Sequence, residues 1–369
     1  MIALLICASQ SSAQISWHAR ISPTYIHEST NRGGWSIGVL NFFGASLQSG
    51  RIGFDAMASA EPYSLADCGY AHLLVSDPHC GSYPRDIQAA HPLLMQARAR
   101  ITTGAFGLSA GLADAPALGP LSYMHRASAA VDPIAPYTDH LTNPYHAAYS
   151  VITFNATTSR LTFAASAFDS HERHSEPKAI DPHKPDSYSA LFSVAANRDV
   201  RFSISAADVP ASAHAGHGGG EATGRTRVAF VTAETKAGAV TWLGVAGFHD
   251  IGPGVRVGLL EGTLSRPRFA VFARGEIADA IEEIVSIVEL PNGVHQHNVV
   301  MLRSAGAQVA AGAVARRSLN QKLSADFGAR GWLSFIPRRR NELYERRSTA
   351  PGFALFVTLN ARSASEHHH

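Results

Sequence analysis

The densest group of residues that could do chemistry lies in one long polar segment, residues 112–145, and just after it. Neutral imidazole binds borderline metals such as copper and zinc well, so one hypothesis is a metal site formed by His125, His140 and His146. A second hypothesis is that the segment is a constriction loop, which folds into the interior of the protein and narrows its lumen. A third is an ordered loop whose polar groups hydrogen-bond a surrounding wall. The residues of the second and third hypotheses are His125, Arg126, Asp132, Asp139, His140 and His146.

Further histidines occur in short tracts whose composition is typical of weak metal-capturing sequences. None of these tracts has the spacing of a zinc finger, and two histidines on a loop form an incomplete site. A solvated loop is therefore the simpler interpretation. The tracts are His171-Glu172-Arg173-His174 with nearby His183, His214 to Gly220 with His217, and His295-Gln296-His297.

A set of charged residues alternates with apolar residues, which would place the two kinds of side chain on opposite faces of β-strands. In a closed barrel the polar face points into the lumen. A lumen rich in arginine favours anions, whereas neighbouring opposite charges would instead cross-link the wall. The residues that we assign to the lumen are Arg20, Arg98, Arg100, Arg201, Arg227, Arg274, Glu276, Asp326 and Arg330.

Sequence signatures of common enzyme classes are absent from the chain. It has no Gly-x-Ser-x-Gly elbow, no phosphate-binding loop and no His-Glu-x-x-His motif. We therefore predict that the protein is not an enzyme.

These side chains must be positioned by strands, because alternation with a period of two is the dominant pattern. Phe353, Leu355 and Val357, for example, share one face of a segment whose other face carries Thr358. Only residues 277–289 suggest a short helix. The predicted strands number about sixteen and lie near residues 14–27, 35–47, 50–60, 92–102, 104–112, 146–155, 159–168, 187–197, 198–207, 225–235, 238–248, 254–264, 267–277, 297–316, 319–336 and 351–361.

The links between these strands alternate between tight turns and longer connections. Gln48-Ser49-Gly50 and Asn197-Arg198-Asp199 are typical turns, whereas residues 61–91 and 112–145 are long connections. A transmembrane β-barrel has an even number of strands, short periplasmic turns and long extracellular loops, whereas a β-sandwich has links of mixed length. The pattern therefore predicts an all-β fold, a closed antiparallel transmembrane barrel of about sixteen strands.

The composition fits a barrel in a membrane. Charged residues make up 16% of the chain and apolar residues 46%, the net charge is +2, and the mean hydropathy is −0.02. A disordered chain would carry more charge, a coiled coil more Glu, Lys and Leu, and a nucleic-acid binder a basic excess. A face that meets lipid needs no charge. The aromatic residues that we expect to form girdles at the membrane surfaces are Trp17, Tyr25, Trp35, Phe42, Trp332 and Phe335.

The two ends of the sequence differ from the rest. Residues 1–13 resemble a signal peptide that lacks its basic region, with a cleavage site before Gln14; a first buried strand is the alternative. Residues 14–361 form the predicted barrel domain, and residues 362–369 a tail or tag remnant. In an oxidising envelope Cys68 and Cys80 would form a disulfide across one polar segment, or else remain structural thiols.

The chain resembles a family of largely uncharacterised bacterial outer-membrane β-barrel proteins that are often encoded near copper and heavy-metal resistance systems. The specific part of the resemblance lies between Pro116 and His146. It rests on Pro116-Ala117-Leu118-Gly119-Pro120, Met124-His125-Arg126, Pro133-Ile134-Ala135-Pro136, His140 and His146. The resemblance extends through Gly53 to Met57, Gly69-Tyr70 and His91-Pro92, and faintly to the last strand. It implies a barrel in the cell envelope and no established activity.

This sequence departs from that family at two polar positions. The family usually follows His91-Pro92 with a second His and an Asp, where this chain has Leu93 and Leu94. The paired histidines further along become Asp139-His140. If those groups serve a shared metal or proton function, this chain has lost part of it.

Taken together, the sequence predicts a bacterial outer-membrane barrel that acts as a passive channel, or porin, for small polar or anionic solutes. The alternative is a metal-binding outer-membrane protein with a plugged barrel, linked to copper or heavy-metal tolerance. The predicted partners are outer-membrane lipid and small solutes or ions, with no nucleic acid. No cofactor is predicted under the first interpretation, and copper or zinc under the second.

Overall fold

Antiparallel strands account for most of the computed structural model. It describes residues 13–65, 69–75, 86–170, 178–210, 224–250, 254–289 and 295–363, with backbone only at 280–289 and 295–304. The signal-peptide region up to residue 12, both candidate disulfide cysteines and the tail beyond residue 363 lie outside these residues. So do the histidines of the 171–174 and 214–217 tracts, as do the side chains of His295 and His297.

The strands of the barrel are long, and the few helices are short. The helices are α1 (Glu61–Ser64) and α2 (Asp139–Thr142), with 3-10 turns at Tyr123–His125 and Asn341–Tyr344. No helix among the described residues is long and apolar enough to cross a membrane. The strands are β1 (Gln14–Glu28), β2 (Gly34–Ser49), β3 (Ile52–Ala58), β4 (Gly69–Ala71), β5 (Ile87–Ala89), β6 (Leu94–Thr103), β7 (Phe106–Asp114), β8 (Ala148–Thr157), β9 (Leu161–Asp169), β10 (Ser187–Ala195), β11 (Val200–Pro210), β12 (Arg225–Ala237), β13 (Val240–His249), β14 (Val255–Ser265), β15 (Phe269–Glu289), β16 (His295–Ser318), β17 (Leu323–Phe335) and β18 (Thr349–Arg362).

Sixteen of these strands close into one antiparallel barrel, and β4 and β5 form a separate two-stranded sheet. Each barrel strand pairs with its neighbours in the sequence, apart from the inserted β4 and β5. The seam is closed by β1 and β18, with Ile21 opposite Leu359. Closure pairs the backbone groups of every barrel strand, which a sheet in lipid requires. The predicted fold class and strand number are confirmed.

The two ends of the barrel differ as the alternating links predicted. At the turn end, short turns join β2 to β3, β6 to β7 and so on around the ring, and the start of β1 and the end of β18 lie beside them. Gly104 and Gly238 stand in such turns with φ of +58° and +60°, a conformation that suits glycine. At the loop end lie the longer connections, of which residues 59–93 and 115–147 are the longest described in part or whole.

The predicted helix at 277–289 is wrong, because β15 continues as a strand to Glu289. It pairs with β16 along its whole length, from Phe269 opposite Ala315 to Glu289 opposite His295. Ile277 is exposed and Ala278 is buried, so the period-two alternation persists into this region. Cross-strand hydrogen bonding therefore overrides the helical tendency of the sequence.

The outer face of the barrel is a continuous apolar surface. Its side chains alternate with buried inward-facing ones, as in β12, where Val231 is exposed and Phe230 and Thr232 are buried. Among the predicted girdle residues, Trp17, Trp35 and Phe335 are exposed on this face, but Phe42 and Trp332 are buried in the interior. Other exposed apolar side chains are Ile15, Ile37, Ile101, Leu108, Phe154, Phe202, Ile204, Leu260, Phe327 and Leu355.

Two of the loop-end connections fold back into the barrel and fill it. We call residues 115–147 the main plug and the described parts of residues 59–93 the second plug. Leu118 and Tyr145 of the main plug and Leu73 of the second plug share one core cluster with wall residues such as Phe230 and Leu259. In the loop-end half, inward-facing side chains are therefore buried against the plugs instead of facing water.

Candidate functional site

The main plug crosses the whole width of the barrel. It starts at the end of β7 and ends at the start of β8, and its charged residues reach β15. Seven strands separate β7 from β15 in each direction around the ring, so these two strands are diametrically opposite. Near its start, the backbone N–H of Ala117 donates to Ser166 Oγ at 2.8 Å, and that of Gly119 donates to Ser205 Oγ at 2.8 Å. On the far side, the Tyr137 hydroxyl donates to the carbonyl of Gly306 at 2.8 Å.

The middle of the main plug is organised around the Tyr123 ring. Its hydroxyl lies 2.6 Å from the carbonyl oxygen of Asp132 and 2.9 Å from that of Ile134. The guanidinium groups of Arg126 and Arg274 lie over the ring, 5.0 and 5.3 Å from its centroid. Burial and the neighbouring Asp132 raise the pKa of Tyr123. The ring therefore serves as a neutral platform between two cations.

A network of buried ion pairs ties the main plug to the wall. Asp132 lies 2.9 Å from Arg330 Nη1 and 3.4 Å from Arg274 Nη2. Arg274 also bonds Glu261 at 3.0 Å, and Glu261 lies 3.3 Å from Arg126 of the plug. All five side chains are at most 4% exposed. Such charges are tolerated in the interior only when each has a partner.

Glu276 is part of the same attachment, although it accepts hydrogen bonds instead of forming a close ion pair. Its Oε2 accepts from the backbone N–H of Thr138 at 3.0 Å and from the Thr138 hydroxyl at 2.9 Å. Arg274, Glu276 and Arg330 thus face the lumen, where the sequence placed them, and all three contact the main plug.

The second plug is attached by its own buried polar groups. Arg32 Nε lies 2.7 Å from Asp86, which also accepts a hydrogen bond from the Tyr344 hydroxyl at 2.6 Å. Glu28 accepts from Trp332 Nε1 at 2.8 Å and from the backbone N–H of Leu73 at 2.7 Å. The indole of Trp332 thus donates a hydrogen bond to a buried carboxyl group and does not belong to a membrane girdle.

The two plugs also contact each other, and the second plug carries the buried histidine His72. The backbone N–H of Ala135 donates to the Tyr70 hydroxyl at 3.1 Å. His72, on the second plug, lies 3.3 Å from Gln308 Oε1. Burial, together with the nearby charge of Arg330, lowers the pKa of His72 to about 3, so the ring is neutral at physiological pH.

In the turn-end half of the lumen, the charged side chains are partly exposed to water. Arg98 bonds Asp55 and Asp114 at 3.0 Å each, and Arg100 bonds the same Asp55 oxygen at 3.0 Å. The two arginine side chains are 32% and 33% exposed, so water reaches them. Arg20 also points inward here, and its Nε and Nη2 have no hydrogen-bond partner among the described residues.

Of the remaining residues assigned to the lumen, two face inward and one faces outward. Arg201 lies at the turn-end mouth, opposite Glu234, and Asp326 lies 3.5 Å from Arg316. The assignment of Arg227 to the lumen is wrong. This arginine lies on the outward face of β12 with the exposed Val231, while its neighbour Val228 is buried. The sequence pattern failed there because the plug makes the inner face of β12 apolar as well.

The histidines do not all gather where the sequence suggested. Ligand atoms of His91, Asp139 and His146 lie within 4.8 Å of one another, and all three residues are buried. The His140 ring lies 5.6 Å from the His146 ring, centroid to centroid. His125 is outside this group. It lies near Arg98 and His18. Sequence reasoning missed His91 as a ligand candidate, although it had noted the His91-Pro92 pair.

Several solved outer-membrane barrels have a fold similar to that of this chain. OmpF of Salmonella typhi, in complex with daunomycin, has a TM-score of 0.55 at 9% identity, and the match covers 94% of this chain and 97% of that chain. The two chains share a barrel fold over most of their lengths. The anion-selective porin from Comamonas acidovorans gives 0.53 at 10% identity, covering 94% of this chain and 99% of that chain.

A third similar structure is a loop L8 deletion mutant of OmpT, an outer membrane protein of Vibrio cholerae. It has a TM-score of 0.52 at 9% identity, and the match covers 95% of this chain and 100% of that chain. No protein-family description matches the sequence, and no curated protein matches it. At these identities the porin likeness concerns the fold alone.

Proposed function

We propose that the protein is an outer-membrane channel of the porin type, for small polar or anionic solutes, whose lumen is closed at the loop end by the two plugs. The observation that carries this proposal is the contrast within one lumen: buried, paired charges toward the loop end and water-exposed arginines toward the turn end. Solutes enter the turn-end half freely, and passage to the other side requires displacement of the main plug.

The outer face supports a location in the outer membrane. Large side chains such as Ile37, Ile204 and Leu355 are more than half exposed on the barrel surface. Exposed apolar areas of this extent are rare on soluble monomers, and an apolar band is what a transmembrane barrel presents to lipid.

Anion preference is supported by the arginines of the turn-end half. Asp55 is shared by Arg98 and Arg100, whose side chains are 32% and 33% exposed, so one carboxylate faces two guanidinium groups that water reaches. Partly exposed guanidinium groups in a lumen attract anions and can bond carboxylates or phosphates in a fixed geometry.

The test is conductance in planar bilayers with and without the main plug. Asp114 and Ala148 are directly paired residues of β7 and β8, so a four-residue Gly-Ser turn can replace residues 115–147 without moving the wall. A sixteen-stranded barrel has room for an aqueous channel, and removal of the main plug opens part of that space beside the second plug. We therefore expect the intact protein to be mostly closed and the shortened protein to give stable, larger steps.

Two controls make this test decisive. Asp132→Asn keeps the full chain and weakens the attachment to Arg274 and Arg330, so it should raise the frequency of openings even if the deletion does not fold. Folding is followed by the heat-dependent shift in electrophoretic mobility that closed barrels show. A folded protein that lacks the main plug and conducts no ions would overturn the proposal.

Selectivity is measured as the reversal potential in a KCl gradient. Arg20→Ala and Arg98→Ala should each move it toward cation preference, because each removes an inward positive charge from the turn-end half. Arg227→Ala is the matched control, since that arginine lies on the outward face. Equal shifts in all three variants would mean that the turn-end arginines do not act on passing ions.

A further inference from the structure

Three side chains from two separate plugs meet at one buried position. His91 comes from the end of the second plug, whereas Asp139 and His146 come from the main plug. Their exposed fractions are 8%, 1% and 5%. Two imidazoles and a carboxylate with ligand atoms within 4.8 Å of one another form the donor set that catalytic zinc and other borderline metals use.

The hydrogen bonds around the two imidazoles fix their tautomers. Nδ1 of His91 lies 2.8 Å from Glu61 Oε2, and Nδ1 of His146 lies 3.0 Å from the backbone carbonyl oxygen of Asn143. A carbonyl or carboxylate oxygen only accepts, so each Nδ1 carries the proton. This tautomer places the lone pair that binds a metal on Nε2 of both rings.

The carboxylate of Glu61 accepts hydrogen bonds at both oxygens. Its Oε2 accepts from the backbone N–H of His91 at 3.0 Å, and its Oε1 accepts from that of Asn41 at 3.2 Å. A histidine that donates its second ring N–H to a buried carboxylate is the usual arrangement behind a metal ligand, because it orients the ring and raises its basicity.

The third candidate ligand, Asp139, is a carboxylate held in place by a neighbouring arginine, and further donor atoms lie beside it. Asp139 Oδ1 accepts from Arg126 Nη2 at 2.6 Å, which fixes the carboxylate. Next to it, His140 Nε2 lies 2.6 Å from Gln88 Nε2, and the His140 ring is 5.6 Å from that of His146. Oε1 of the buried Gln88 has no hydrogen-bond partner among the described residues. His140 and Gln88 thus supply further donors at the edge of the group.

We propose that His91, Asp139 and His146 bind one divalent transition-metal ion, with Zn²⁺ and Cu²⁺ as the fitting ions, and that this ion joins the two plugs. A tetrahedral site with ligand distances near 2.0–2.2 Å needs ligand atoms roughly 3.4 Å apart, so the group contracts by about 1 Å on binding. The site is separate from the channel proposal, since it requires no passage of solute.

The experiment measures Zn²⁺ affinity of the full chain in detergent by competition with a chromogenic chelator. Because His367, His368 and His369 would also bind zinc, all proteins carry alanine at those three positions. We expect one tight equivalent per barrel. His91→Ala and His146→Ala should each weaken that equivalent by more than about 100-fold, since loss of a ligand exceeds the 10–100-fold effect of losing a supporting group.

Matched variants separate ligation from structure. His125→Ala removes a histidine of the same plug that lies outside the group, and it should leave the affinity unchanged. Glu61→Gln keeps the shape and should weaken zinc binding by about 10–100-fold. If an alanine variant does not fold, His91→Gln replaces it. With Cu²⁺, electron paramagnetic resonance should show nitrogen splitting from two imidazoles, which is lost in the His91 and His146 variants.

The proposal is overturned if the parent protein holds no more tight zinc than the double variant of His91 and His146. It is equally overturned if copper shows the same spectrum in both. Neither result depends on bilayer conductance, so the metal site and the channel can fail independently.

Discussion

The two halves of the lumen use the same residue types in opposite ways. Toward the loop end, Arg274 and Arg330 are at most 1% exposed and bond carboxylates of the plug and wall. Toward the turn end, Arg98 and Arg100 are about one-third exposed and share Asp55. Away from water an ion pair fixes structure, because an unpaired partner there is very costly. In contact with water the same pair contributes little to stability and remains available to solutes.

The largest expected effect is on the buried network. Arg330→Ala leaves Asp132 with one fewer charged partner in a dry interior, and breaking such a pair costs about 3–5 kcal/mol. We expect a large drop in the temperature at which the barrel unfolds, read by circular dichroism and by electrophoretic mobility. Arg100→Ala is the turn-end counterpart. Equal losses in the two variants would remove the distinction between the two halves.

A second test uses pH, through His72 of the second plug. Its folded pKa of about 3 lies below the ordinary value of 6.5, so the unfolded chain binds a proton first as the pH falls. The stabilising contribution is complete above pH 6.5 and is lost as the pH falls toward 3. Between pH 6.5 and 5 the loss is about 2 kcal/mol.

The measurement is the unfolding temperature as a function of pH. His72→Gln should flatten the decrease between pH 6.5 and 5, because glutamine carries no titrating ring in place of the buried imidazole. An unchanged pH profile in the His72 variant would show that this ring does not stay neutral in the folded protein.

A smaller effect is expected at Gly119, where the main plug turns. Its φ is +64°, and a Cβ added there would lie 2.6 Å from the carbonyl oxygen of Thr142. Gly119→Ala should therefore destabilise plug docking by about 1–3 kcal/mol, seen as more frequent channel openings. Gly104→Ala, in an open turn with similar φ and no atom within 4 Å, controls for backbone strain alone. Equal behaviour of the two would argue against close packing of the plug at Gly119.

The smallest effect on stability is expected at the turn end. Arg98→Ala removes ion pairs from an arginine that is 32% exposed, and Asp114 keeps hydrogen bonds from Gln96 and from the backbone N–H of Ala115, so the loss is about 1 kcal/mol. The unfolding temperature should therefore barely change while the reversal potential shifts. A large loss of stability without a change in selectivity would assign Arg98 to the wall and not to the solute path.

The sequence predicts the barrel well because alternation and link length are local properties. The barrel strands, closure and the two ends follow from them, whereas the region of β15 beyond Ile277 was assigned wrongly and the short strands β4 and β5 were missed. Sequence could not show that the plugs make part of the lumen apolar. Val228 and Phe230 therefore face inward, which reversed the assignment of Arg227, and Phe42 and Trp332 are buried for the same reason.

The candidate site was predictable only in part. The segment that carries Asp139 and His146 was recognised as the place where polar groups converge, and both residues belong to the site. His91 lies on another connection, and its distance from His146 depends on how two loops pack. No local pattern contains that information, which also explains why His125 was grouped with residues that it does not join.

The path of the main plug from β7 and β8 to the opposite wall has a mechanical consequence. An empty sixteen-stranded cylinder can flatten when the surrounding bilayer presses on it, because its strands tilt and slide with little resistance in cross-section. A segment that leaves β7 and is bonded to Arg274 on β15, the opposite strand of the ring, acts as a strut across the diameter. The barrel is thus braced from within, and any opening of the lumen also softens its wall.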